Sequence, residues 1–287
     1  MNILKPQSIE EYIVSLLQKN SRSGSELLTA IQSKRPGTTK QALYASLRKL
    51  RSDEIVVVHK MRISLSSIWV TKMAEFFTLA KHFYTKTTTT DEGFLNLEDG
   101  DRVTYSFKNP NVTDIFWGHA FDILAEITPI TEPVFLYNPH DWFMLARPET
   151  EKLLFKKFAK AGKQLLILVG DAKPLDKYII KEFDGTIAQY HPTNELVFDK
   201  RNYYVNIFDD FIIEVHLDEI TTKKIDEFYN TANDWNPENE AVLKKIIANE
   251  GKNKLTISKN RKKAEHLKKI FRKYFYIKSL KQNTTHI

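Results

Sequence analysis

Cysteine is absent from the 287 residues, which removes disulfide staples, thiolate metal sites and a cysteine nucleophile together. Glycine is scarce: nine residues, never arranged as Gly-x-Gly-x-x-Gly or Gly-x4-Gly-Lys, so the loops that cradle nucleotide phosphates are missing. The eight histidines never stand four apart and no His-Glu-x-x-His occurs, leaving zinc without an evident site. No cofactor and no metal is expected. No run approaches the roughly 18 uninterrupted apolar residues of a membrane span, and the start MNILKPQSIEEY has no apolar segment followed by a small-residue cleavage site. A cytoplasmic protein with no membrane partner is the expectation.

What is abundant is charge, and it is unevenly spread. Residues 1–72 hold 12 Lys and Arg against 5 Asp and Glu, residues 73–250 hold 19 against 30, and residues 251–287 hold 12 against 1. Both ends are basic and the middle is acidic. Concentrated positive charge is what counterion-linked binding to nucleic acid requires.

At the N-terminus Ser8 and Glu11 have the form of a capping box before Ile9, Tyr12, Ile13, Leu16 and Leu17 at helical spacing. Ser21–Gly24 breaks this helix. Ser25 can cap a second one carrying Leu27, Leu28 and Ile31, and Pro36-Gly37 turns the chain. Thr38 or Thr39 then caps a third helix to about Arg51, with Leu43, Leu47 and Leu50 on one face. Residues 55–58 and 63–70 are β-branched runs separated by His59-Lys60-Met61-Arg62, a basic hairpin. The order of three helices and a basic hairpin, with the run from Thr39 to Leu50 in the place of the recognition helix, resembles the winged helix-turn-helix family of transcriptional regulators. The resemblance implies a double-stranded DNA partner. With the leucines inward, Lys40, Gln41, Tyr44, Ala45 and Arg48 project outward, Gln41 and Arg48 suited to base edges. Thr38, Thr39 and Lys40 suit phosphates, and Lys60 and Arg62 the backbone or minor groove.

Residues 71–84 read as a helix with Met73, Phe76, Phe77, Ala80, Phe83 and Tyr84 in one stripe, a homodimer contact in expectation. The threonine run after it, within 73–93, is the linker. From 94 to 250 strand-like segments (102–108, 134–137, 165–169, 186–190, 203–208, 211–217) alternate with helical ones (113–127, 148–161, 174–183, 221–232). That pattern predicts an α/β domain with a mixed, partly parallel sheet, the whole chain reading as α+β. The stretch from Lys152 to Gly170, a helix running into an apolar strand, and the hairpin from Val205 to Val215 together resemble the phospholipase-D-like domain that some winged-helix regulators carry as an effector-sensing half. The resemblance implies a small-molecule or protein effector. Asn138, His140 and Asp141, following a strand end, are the candidate ligand residues.

Phospholipase-D-like enzymes use two His-x-Lys-x4-Asp motifs; here His266-Leu267-Lys268 is the sole His-x-Lys and Lys273 stands where the aspartate belongs. No catalytic residue is assigned, and the chain is expected to be no enzyme. Two alternatives stay open: a metal-dependent nuclease built on Asp209, Asp210 and Glu214, and a DNA-binding scaffold or defence-system component. Residues 251–287 read as a separate basic C-terminal helix, with Ala264, Leu267, Ile270, Phe271 and Tyr274 on one side and lysines and arginines around the rest.

Overall fold

The computed structural model describes residues 4–86, 93–129, 132–185 and 188–276. The chain divides into two compact units, Met1–Tyr84 and Thr85–Ile287. In the first, α1 (Ile9–Leu17) starts at a closed capping box, Ser8 Oγ accepting from the Glu11 amide and the Glu11 carboxylate from the Ser8 amide. A second box lies between β1 (Arg22–Ser23) and α2 (Gly24–Gln32): Ser23, two residues ahead of the expected Ser25, is the cap, with Glu26 as its partner. Thr39 caps α3 (Lys40–Ser52) by accepting the Ala42 amide at 3.1 Å. After α3, Glu54 takes φ 58° and the Ile55 amide reaches back to Leu50 O at 2.9 Å, satisfying end carbonyls.

The hairpin of β2 (Val56–His59) and β3 (Arg62–Leu65) turns through Lys60-Met61, and β1 adds to its other edge in the order β1-β3-β2. Ile13, Leu27, Leu43, Leu50, Val56 and Ile63 close one core. The second wing strand is shorter than the β-branched run predicts. Ser66 Oγ accepts the Trp69 amide at 3.3 Å, and Ile68 to Val70 enter α4 (Ser67–Lys86) instead. A serine cap here overrides strand propensity. Of the expected linker, residues 87–92 lie outside the described residues.

The second unit runs β4 (Arg102–Phe107), α5 (Pro110–Ile127), β5 (Val134–Asn138), α6 (Trp142–Ala146), α7 (Pro148–Lys160), β6 (Leu165–Val169), α8 (Pro174–Phe183), β7 (Gln189–Pro192), β8 (Tyr203–Phe208), β9 (Phe211–His216), α9 (Glu219–Thr231), α10 (Pro237–Ala248), β10 (Asn253–Lys259) and α11 (Arg261–Phe271). It is a mixed α/β fold around a seven-stranded sheet of order β4-β10-β9-β8-β5-β6-β7. β5, β6 and β7 are parallel; the other pairs are antiparallel. The residues of β5 and β6 are buried on both faces, as the unbroken apolar run of β6 predicts. One face packs against α5 to α10, through Trp117, Phe121, Phe155, Ile179, Phe228 and Leu243. The other is covered by α11, where Ala264, Leu267 and Phe271 meet Phe135, Val205 and Ile212.

The expected separate tail is therefore part of this unit. β10 inserts between β4 and β9, its Leu255 and Ile257 buried in the main core, and the Asn260 side chain caps α11 onto the opposite face. The alternation of Leu255 and Ile257 is a strand signal that the lysines around it obscure. No helix among the described residues is long and apolar enough to cross a membrane.

Candidate nucleic-acid interface and buried polar network

Helix α3 sorts its side chains by its 3.6-residue period: Leu43, Ser46, Leu47 and Leu50 are buried, whereas Lys40, Gln41, Tyr44, Ala45, Arg48 and Lys49 are exposed. No ion pair ties up Lys40, Arg48 or Lys49 among the described residues. Tyr44 rests its hydroxyl over Gly24, where a Cβ would lie 2.7 Å away, so α2 sets the tyrosine's position.

The threonines are not both at the surface. Thr39 is exposed but its hydroxyl oxygen is engaged as the α3 cap, while Thr38 is buried and its carbonyl accepts from Gln32 Nε2 at 2.8 Å. Thr38 is corrected to an interior residue: only one of two adjacent threonines can cap, and the turn after Gly37 points the other inward. In the wing, Lys60 is exposed and free of ion pairs among the described residues. Arg62 is half exposed but committed inside the unit, donating to Glu26 Oε2 at 3.0 Å and to Ser21 O at 2.5 Å. The carboxylate that completes the α2 capping box thus also holds the base of the wing.

In the second unit Asn138, His140 and Asp141 come together at the C-terminal end of β5, yet each is only 1% exposed. Asn138 Nδ2 donates to Asp141 Oδ1 at 2.7 Å. His140 Nδ1 meets Asp176 Oδ2 at 2.8 Å, and Nε2 lies 3.4 Å from Asp226 Oδ1. The imidazole also stacks on Tyr229, centroids 4.2 Å apart. Burial pulls His140 down, but the hydrogen bonds and charges of Asp176 and Asp226 outweigh it and lift it to about 9. Asp141, buried beside Asp176, is pushed up to about 8. The three candidate ligand residues thus lie together but in the interior, where α8 and α9 close over them and supply Asp176, Asp226 and Tyr229.

A second polar cluster, which no sequence motif announces, lies between α5 and α7. Arg147 Nε donates to Asp114 Oδ2 at 2.5 Å and Nη2 to Asp114 O at 2.9 Å, while Glu151 Oε1 is 3.5 Å from Nη2. Burial raises Asp114 to about 6, against the pull of Arg147. Burial, joined by the Asp114 charge, raises Glu151 to about 8. Both carboxyls line a cavity of about 30 Å³ with Asn206, whose Oδ1 accepts from Trp117 Nε1. Its only trace in the sequence is an Asp and a Glu on the apolar faces of two amphipathic helices.

At the β8–β9 hairpin Asp209 takes φ 54° in the turn, Asp210 O accepts from the Asn260 amide, and Glu214 is held by Tyr203 and Lys263. Among the described residues no group of three or more His, Asp or Glu is placed to hold a metal. Lys268 of the sole His-x-Lys is 1% exposed, ion-paired with Glu132 at 2.5 Å and Glu265 at 2.9 Å.

No family model matches the chain, and no curated protein is similar to it. Solved structures similar to it include TrmBL2, described as an archaeal chromatin protein with a novel mode of DNA binding (11% identity, 93% of this chain and 91% of that one, TM-score 0.32). They also include NucT from Helicobacter pylori (13% identity, 61% and 96%, TM-score 0.35) and phosphatidylserine synthase from Haemophilus influenzae Rd KW20 (11% identity, 84% and 48%, TM-score 0.33). One of these neighbours, the synthase, is named as an enzyme, and the expectation that the chain is no enzyme does not stand. That exclusion is withdrawn, and at 11–13% identity none of the three assigns a reaction in its place.

Proposed function

We propose that the protein binds double-stranded DNA through α3 and the wing, and acts as a transcriptional regulator. The exposed face of α3 carries this reading. Its width fits the major groove, which admits one helix, and Gln41 and Arg48 are the residue types that pair bidentately with adenine and guanine. Lys40 in the first turn and Lys60 at the wing tip meet phosphates, which position the module without reading sequence. The 12 basic residues of 1–72 against 5 acidic ones support the same partner.

The apolar side chains that α4 leaves in solvent, among them Phe76 and Phe77 at 60% and 59% exposure, support a homodimer contact, which would pair two α3 helices on a two-fold site. The second unit is the effector half. The test begins with selection of bound duplexes from a random pool, followed by anisotropy titrations. Gln41→Ala and Arg48→Ala each weaken the selected duplex by about 1–3 kcal/mol while leaving random duplex nearly unchanged. Equal losses on both duplexes would sink base reading by α3.

A further inference from the structure

We propose that the cavity between α5 and α7 binds the ammonium head of a small amine carrying an oxygen acceptor, through Glu151, Asp114 and Asn206. The proposal names a ligand class for the effector half, and its first test is made without DNA.

Charge balance is the first ground. Asp114 and Glu151 share one guanidinium, and Arg147 spends Nε and its closer Nη2 contact on Asp114, reaching Glu151 only at 3.5 Å. Ionised together, the three groups leave one buried negative charge, and Asp141, buried after the end of β5, adds its repulsion to Glu151 when ionised. An uncompensated buried carboxylate is costly, and a proton or a second cation relieves it. At neutral pH the proton fills that role, since Glu151 titrates only at about 8. An ammonium group supplies the same charge and adds donors for both carboxyls.

The second ground is Asn206, wholly buried on β8. Its Oδ1 takes the Trp117 indole, Nδ2 has no partner among the described residues, and the residue lines the same cavity. A buried donor left unmade forfeits the water it gave up, and a hydroxyl or carbonyl oxygen on the ligand satisfies it. Trp117, Phe121 and Phe155 wall the space, and aromatic faces attract a desolvated cation. The volume, about 30 Å³, is small, so the ligand is the shortest that carries both groups, with two carbons between them. At Gly118 a methyl group would meet Arg147 Nη2 at 3.5 Å and Leu154 Cδ1 at 3.8 Å, ordinary contacts, so alanine fits there while narrowing the space.

Three probes of equal size separate the contributions: 2-aminoethanol, propylamine without the oxygen, and 1,2-ethanediol without the charge. Calorimetry and ligand-observed NMR on the full chain read their affinities. The amino alcohol binds best, at millimolar concentration or tighter, and at least tenfold better than the diol. Its affinity rises from pH 6 to pH 8, because binding requires Glu151 to release its proton to solvent while the amine stays charged. Glu151→Gln abolishes both the preference for amines and this pH dependence. Gly118→Ala, which keeps every polar group, weakens the amino alcohol at least threefold.

Equal binding of amine and diol, binding of neither, or an undiminished amine preference in folded Glu151→Gln overturns the proposal. So does unchanged affinity in Gly118→Ala, the variant that decides the matter where Glu151→Gln does not fold. If DNA binding fails while amine binding holds, the regulator reading falls and this site stands. The reverse outcome removes only the site.

Discussion

Lys60 and Met61 take φ 46° and 64° at the wing tip, a region that costs an L-residue about 1–2 kcal/mol and that Asn-Gly fills at far less cost. The sequence places a cation there at the expense of turn stability, as expected where the tip contacts phosphate. Replacing the pair by Asn-Gly raises the stability of the first unit by about 1 kcal/mol in urea titrations, while duplex affinity falls by the same amount as in Lys60→Ala. A stabilised wing with unaltered affinity would remove Lys60 from the interface. Titration of the buried groups gives a second prediction at this scale. His140, about 9 in the fold against roughly 6.5 unfolded, contributes stability that is complete below 6.5 and lost as pH rises through 9. Glu151 and Asp141, both about 8 in the fold against roughly 4 unfolded, stay protonated while the unfolded chain has released its protons, so stability also falls from pH 4 to 8. The signs agree. The melting temperature of the second unit falls steadily from pH 5 to pH 9, and Glu151→Gln flattens the slope; a maximum above pH 8 would show that these groups titrate normally.

Among the elements, α4 and α11 are both amphipathic, and their apolar faces have different fates. That of α11 is consumed by the sheet, with Leu267 and Phe271 buried, whereas Phe76, Phe77 and Leu79 of α4 remain in solvent. Phe76→Asp is accordingly expected to give a folded monomer by sedimentation velocity, and a wild-type monomer at micromolar concentration would end the dimer reading. Once α11 is docked, Lys262, His266, Lys269 and Lys273 form an outward ridge at i, i+4, i+7 and i+11, all exposed. The three lysines have no ion pair among the described residues. Truncation from Lys259 cannot isolate this ridge, because it strips the cover from Phe135, Val205 and Ile212. The triple variant Lys262→Ala, Lys269→Ala and Lys273→Ala can. If the ridge meets phosphate, the slope of log affinity against log salt falls by roughly 0.9 for each phosphate that the variant no longer neutralises; an unchanged slope in the folded variant confines DNA binding to the first unit.

On the scale of the whole chain, two compact units carry separate cores, and the excess of positive charge lies in the first. Residues 1–84 hold 13 Lys and Arg against 6 Asp and Glu, and residues 85–287 hold 30 against 30, so the unit proposed to bind DNA is the one whose net charge attracts phosphate. Calorimetry should resolve two transitions, the wing variant moving one and Glu151→Gln the other. A single transition shifted by both would show the units to be one cooperative block.

The sequence alone determined what is local. Ser8 with Glu11, the leucine period of α3 and the unbroken apolar run of β6 each encode an element through contacts a few residues away, so the first unit, its outward face and the α/β alternation were legible. Competition between adjacent signals set the limits even there: Ser23 won the α2 cap over Ser25, and the serine cap at Ser66 turned a β-branched run into helix. Only the tertiary structure decided which polar residues share a site. His140 meets aspartates 36 and 86 positions further on, and Asp114 meets Arg147 and Glu151 across two helices, with Asn206 from a distant strand. Such charges read as solvated faces in the sequence, because burial, which turns a carboxyl into a cation-seeking group, is a property of the packed sheet and helices rather than of the spacing between residues.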